Sequence, residues 1–210
     1  MLGDYYVLKG VLNKKECQDV IDHYDPRCEA SRVGGDDSAG TGKLRSNKRN
    51  SKNAWVIPEE LEEEGMLGVA IAVKKMVRTY LEVSRDIFRT PIDHLETPQF
   101  TKYEEQDHYQ WHIDAGIDHS AFRDVSATML LSQVDEDFTG GMLKFFPHPS
   151  SKHYFDRGDM ILFSSNYAHR VCRVTSGTRY SIVLWGGREQ PSKVQRNKDL
   201  EEEGSWGLAN

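Results

Sequence analysis

Cysteine is scarce: Cys17, Cys28 and Cys172 are the three in 210 residues. An odd, scattered trio makes neither a disulfide framework nor a zinc ribbon, and points to a reducing, cytoplasmic setting. The three side chains read as small, buried apolar residues rather than ligands. Long hydrophobic runs are missing too. No stretch approaches the roughly 18–20 apolar residues that cross a bilayer. The opening MLGDYYVLKG lacks a basic segment followed by an apolar one, so no secretory signal is expected. Basic excess is also absent. The net charge of −6 excludes a broad nucleic-acid surface, although a local basic patch remains compatible with it. Hydrophobic residues reach 38%, enough for the core of one structural unit.

The first ninety residues read as supporting structure. Residues 4–8 suit a short strand. Asn13 suits an N-cap for a helix over about 14–24 that buries Cys17, Val20, Ile21 and Tyr24, with Pro26 ending it. Residues 31–52 hold four glycines, four serines and six basic residues with little apolar content. That composition predicts a mobile surface loop, and its length within a compact unit suggests a lid or substrate loop. Pro58 and the acids after it suit a helix start, and Gly65 a break. From Met66 to Val83 the residues Met66, Val69, Ala70, Val73, Val77, Tyr80 and Leu81 keep a spacing of three to four, predicting an amphipathic helix.

After residue 90 the texture changes to short strands, expected at 97–103, 109–114, 125–131, 142–147, 153–155, 160–163, 169–174 and 179–186. Strands at about ten-residue spacing predict a sandwich, barrel or jelly roll. With helices first, the class is α+β. The chain thus divides into helical and strand support over 1–90, a core over 91–187 in the same structural unit, and a polar tail over 188–210.

Eight histidines are present; context singles out two. His112 and Asp114, two residues apart on an extended segment, turn to the same side and can converge on one ion. His169 follows an apolar strand and a polar turn, and would complete a two-histidine, one-carboxylate set that leaves metal positions open. Each element alone is weak. Arg179 stands ten residues after His169, at the start of an apolar strand. An arginine pointing into a barrel needs an anion, and its fork matches a carboxylate. Ser181 shares that face and offers a hydroxyl, and Tyr103 has the strand context to add a phenol.

In that order, His112-x-Asp114, His169 and Arg179-x-Ser181 resemble the 2-oxoglutarate/Fe(II)-dependent dioxygenases, and the prolyl 4-hydroxylase branch in particular. QFTKYEEQDHYQWHID, FTGGMLKFFP with Gly140 and Gly141, and KRNSKNAWV with Arg49, Ser51 and Trp55 carry the finer likeness. The resemblance implies a double-stranded β-helix (jelly-roll) core with two or three buttressing helices. It implies Fe(II) held by His112, Asp114 and His169, and 2-oxoglutarate anchored by Arg179, with Tyr103 and Ser181 as further contacts. It also implies O2 as cosubstrate, and ascorbate to re-reduce iron after uncoupled turnover. The reaction implied is hydroxylation of an unactivated C–H, with a prolyl residue of a peptide or protein as the leading substrate. Arg49, Trp185 and Tyr109 are the substrate-side candidates.

Other readings compete. The same chemistry on a free amino acid, another small molecule or nucleic acid is the nearest alternative. The nucleic-acid demethylases carry a second arginine six residues after the first, where this chain has Trp185. His108 and His112 are four apart, but the glutamate of the helical zinc-protease motif is absent. A cupin-like, non-enzymatic metal-binding module is the different-class alternative; it would need no dedicated Arg179.

Overall fold

The computed structural model describes residues 5–33, 43–44, 48–116, 120–147 and 155–188. The interior of the 31–52 segment, most of the strand expected at 153–155, and the tail beyond 188 lie outside the described residues.

Alternating side chains build two main antiparallel sheets, and two further two-stranded pairs, Phe138–Gly140 with Val174–Gly177 and Arg32–Val33 with Lys43–Leu44, complete the sheets among the described residues. The larger runs in the order Tyr5–Leu8, Met160–Ser164, Val125–Leu130, Arg179–Gly187, Gln99–Tyr103, Lys52–Trp55 and Glu29–Ala30, with His94–Leu95 added beside the end of Arg179–Gly187. The smaller runs Leu143–Phe145, His169–Val171, His108–His112 and Arg49–Asn50. Two-residue periodicity sorts each strand's side chains. On Met160–Ser164, Met160 and Leu162 join a core shared with the helices, while Ile161 and Phe163 join a second core with residues of the smaller sheet, such as Leu143, Phe145 and Val171. The architecture is an α+β double-stranded β-helix.

Among the described residues, three α-helices pack on the outer face of the larger sheet. α1 (Lys14–Tyr24) buries the four residues expected of it and begins with a reciprocal capping box between Asn13 and Glu16. α2 (Pro58–Glu63) places Pro58 in its first turn and buries Leu61. α3 (Leu67–Asp86) buries Val69, Ala70, Ala72, Val73, Met76, Tyr80 and Ser84. The middle of the expected stripe is buried, but Met66, just before the helix, and Leu81 are exposed, and Ala72 and Met76 join the contact. Over twenty residues the 3.6-residue period drifts relative to a fixed three-to-four spacing. Tyr80 ties α3 to the sheet by donating its phenolic hydrogen to the carbonyl of Val125 at 2.7 Å. No described helix is long and apolar enough to cross a membrane.

Three expectations change. The expected loop does not extend to residue 52: Arg49–Asn50 and Lys52–Trp55 are strands, with Arg49 and Ser51 buried. Composition hid this because the buried groups there are polar and satisfy one another. The expected strand 169–174 is two, His169–Val171 and Val174–Gly177, the second pairing with Phe138–Gly140. Of the cysteines, Cys17 is buried but Cys28 and Cys172 are only half-buried.

Two substitutions test this packing. Tyr80→Phe should lower unfolding stability by about 1–2 kcal/mol, because it leaves a buried carbonyl without its donor. Gly158 has φ +79°, and a Cβ there would fall 2.0 Å from the Leu12 carbonyl oxygen. Gly158→Ala should therefore cost about 2 kcal/mol or more. Urea unfolding at constant m checks both; a midpoint unchanged by either variant would contradict the corresponding contact.

Candidate active site

The two histidines meet because their strands pair. His169 is the register partner of His112 in the smaller sheet, and their ring centroids lie 4.2 Å apart. The Nδ1–H of His112 donates to the Gln110 carbonyl at 2.8 Å, and that of His169 to the Tyr167 carbonyl at 2.9 Å. Each bond fixes the tautomer that leaves Nε2 as a free donor pair. Each Nε2 lies 3.6 Å from a different oxygen of Asp114. All three donor atoms fall within 4.8 Å of one another.

Asp114 reaches this point by a route that strand alternation alone does not supply. The strand ends at His112. Asp114 sits in a bend, where its backbone N–H donates to the Ser165 carbonyl at 2.9 Å. The Ser126 hydroxyl bonds the Asp114 carboxylate and also lies 2.8 Å from the Ser165 hydroxyl. Burial alone would raise Asp114, but His169, His112 and Ser126 outweigh it and hold the carboxyl below its usual range. Burial, reinforced by His169, pushes His112 well below the ordinary imidazole value. Two imidazoles and one carboxylate, oriented on a common point, suit a divalent first-row metal with open coordination positions.

The inner face of the larger sheet supplies the floor. Arg179 is the register partner of Tyr103, and only 2% of it is exposed. Its guanidinium donates to Ser181 Oγ at 2.8 Å and lies 5.7 Å from the Tyr103 ring centroid. Ser181 was expected as a donor to ligand; here it accepts from Arg179 and shares a 2.7 Å bond with the Thr101 hydroxyl. Burial brings Arg179 down to about 10, so it remains a cation at neutral pH. None of the described carboxylates forms an ion pair with it.

All nine residues singled out in the sequence line one cavity. Arg49 is held by Ser51 Oγ at 2.8 Å and Gln99 Oε1 at 3.1 Å, and its guanidinium lies 5.0 Å from the Tyr109 ring centroid. Trp185 lies under Arg123, whose guanidinium is 4.4 Å from its ring centroid. Arg123 also donates to both carboxylate oxygens of Glu96, at 3.0 and 2.6 Å, and to the Asp114 carbonyl at 3.2 Å. Sequence reasoning missed Gln99, Thr101, Arg123, Glu96, Ser126 and Ser165. Period-2 alternation with Tyr103 could have placed Gln99 and Thr101 on the inner face; the others carry no local signal.

Residues 98–187 match the model of the 2OG-Fe(II) oxygenase superfamily. A PKHD-type hydroxylase of Acidovorax ebreus is 30% identical over 184 residues, 83% of this chain and 74% of the relative. One from Hyphomonas neptunium is 35% identical over 96 residues, and the match spans only 42% of that relative's length. Among solved structures, a Pseudomonas putida prolyl-4-hydroxylase superposes with a TM-score of 0.65 at 19% identity, covering 89% of this chain and 94% of that one. A Trichoplax adhaerens prolyl hydroxylase, solved with a hypoxia inducible factor peptide fragment, gives 0.66 at 18% identity, covering 98% of this chain and 88% of that one. The chain belongs to the 2OG-Fe(II) oxygenase superfamily.

Proposed function

We propose that this chain is a 2-oxoglutarate-dependent Fe(II) dioxygenase that hydroxylates a prolyl residue in a peptide or protein. The observation that carries the reading is the shared cavity. A metal-competent trio and a buried arginine without a carboxylate partner among the described residues face it together. A cupin-like binding module would have no use for the second feature. The polypeptide substrate rests on the hydroxylases this chain resembles, one of them solved with a peptide.

His112, Asp114 and His169 would hold the iron, which when bound supplies the O2 activation that protein side chains cannot provide. Arg179 would pair with the distal carboxylate of 2-oxoglutarate through its planar fork, in a pocket where low dielectric strengthens the contact. The hydroxyls of Thr101 and Ser181 fix the guanidinium side of that pocket, and the Tyr103 ring packs beside it. Leu143, Val171 and Val183 line the wall and exclude water from the reacting centre. Arg49, Tyr109 and Trp185 would receive the substrate chain. Their ring faces and the guanidinium suit a proline ring and the backbone carbonyls beside it. Ascorbate would serve uncoupled turnover.

His112→Ala, Asp114→Ala and His169→Ala should each abolish 2-oxoglutarate turnover and weaken Mn(II) binding by calorimetry, with circular dichroism unchanged. Full activity in His169→Ala would remove it from the ligand set. Arg179→Ala should raise the 2-oxoglutarate requirement about 30-fold or more, as expected when one partner of a buried charge pair is lost. Ser181→Ala should raise it only about fivefold, as for one neutral hydrogen bond. Equal effects from the two would contradict these roles. A succinate-release assay across proline-rich peptides, free proline and short single-stranded DNA tests the substrate class; release above background with DNA alone would overturn the prolyl reading.

A further inference from the structure

The smaller sheet has two faces, and the cavity uses only one. His112, His169 and Val171 turn inward, and alternation turns their neighbours outward. Lys144 and Arg170 are register partners on adjacent strands, so two like charges stand directly opposite each other on the outer face. Such a pair is repulsive unless an anion lies across it. Among the described residues neither cation forms an ion pair. Arg170 Nε is sealed from solvent with no hydrogen-bond partner there.

Apolar surface frames the pair. The Arg170 guanidinium lies 4.8 Å from the Trp111 ring centroid, and Trp111 meets Phe146 edge-on at 6.2 Å. Phe146 is 61% exposed, Ile113 50% and Trp111 37%. Trp111 and Ile113 flank His112 in sequence, which links this surface to the cavity mouth. Stacking on Trp111 fixes the guanidinium plane, so less side-chain freedom is lost when an anion binds.

We propose that Lys144, Arg170, Trp111 and Phe146 form a docking ledge for an acidic, extended stretch of the polypeptide substrate, beside the residue that enters the cavity. The inference rests on the polypeptide reading above. Charge complementarity selects the occupant: two adjacent cations call for one or two carboxylates, and the exposed aromatics call for apolar side chains between them. A nucleic acid fits less well, because the chain's net charge of −6 opposes a long polyanion.

The test uses the full chain loaded with Mn(II) and 2-oxoglutarate, and two fluorescein-labelled twelve-residue peptides. Each has a central proline and leucines; one has two glutamates flanking the proline and the other has glutamines. By fluorescence anisotropy the glutamate peptide should bind about fivefold more tightly, the scale of a partly exposed ion pair. The preference should vanish in Arg170→Gln and reverse in Lys144→Glu, and should survive in Lys15→Gln on α1. Equal binding of the two peptides, no binding of either, or a preference that persists in both ledge variants would overturn the proposal. So would stronger binding of single-stranded DNA of matched length, or a dimer in sedimentation that Arg170→Gln converts to monomer without changing peptide affinity. Binding is read without turnover, so the two readings separate. Charge preference without succinate release on Fe(II) would leave the ledge and sink the prolyl reading. Release from both peptides with equal affinity would do the reverse.

Discussion

The site depends on one pairing: His169 lies directly opposite His112 in the smaller sheet. Because side chains in a sheet alternate with period two, this register puts both imidazoles on the inner face, and a slip of one residue would turn one of them out. The carbonyls of Gln110, on the strand itself, and of Tyr167, in the turn that leads into the other strand, then fix both rings. The metal-competent geometry is thus a property of backbone pairing, with the side chains oriented from two residues upstream in each case. Asp114 is the part that pairing does not set, and it is held instead by Ser126 on the larger sheet and by Ser165 in the turn just after that sheet's Met160–Ser164 strand.

The larger sheet is divided by function along its two faces. On Arg179–Gly187, Ile182 and Leu184 face the helices, while Arg179, Ser181, Val183 and Trp185 face the cavity. The helices therefore act as an apolar backing that keeps a polar inner face dry. A buried guanidinium is costly without compensation, and the hydroxyl network of Thr101 and Ser181 gives only neutral partners. That partial satisfaction is what supports the proposal that Arg179 receives a carboxylate. A structural arginine in the same position would be expected to sit beside an aspartate or glutamate.

Charge is handled differently at three places. At the floor Arg179 meets only hydroxyls and a ring. Behind Trp185 Arg123 is closed by Glu96 at two points, and it braces both that ring and the Asp114 carbonyl. On the outer face Lys144 and Arg170 oppose each other across two strands. The same residue type thus stands unpaired with any described carboxylate at the floor, paired with Glu96 beside Trp185 and opposite a like charge on the outer face, and only its neighbours distinguish the three.

Sequence alone determined the elements whose signals are local. α1 follows from its cap and its spacing, and the strand succession from alternation and turn residues. His112, His169 and Arg179, each at a strand end, and Asp114 two residues past His112 were legible because they come in a fixed order, and the order resembles a known family. What the tertiary structure decided is which distant groups complete those residues. Arg49 meets Gln99 across fifty positions and Ser126 meets Ser165 across thirty-nine; no local pattern encodes either pair. Arg49 and Ser51 looked like loop because composition measures apolar content, and these two are buried by hydrogen bonding. Register and sheet stacking, which depend on the whole set of strands at once, convert a polar stretch into one wall of the cavity.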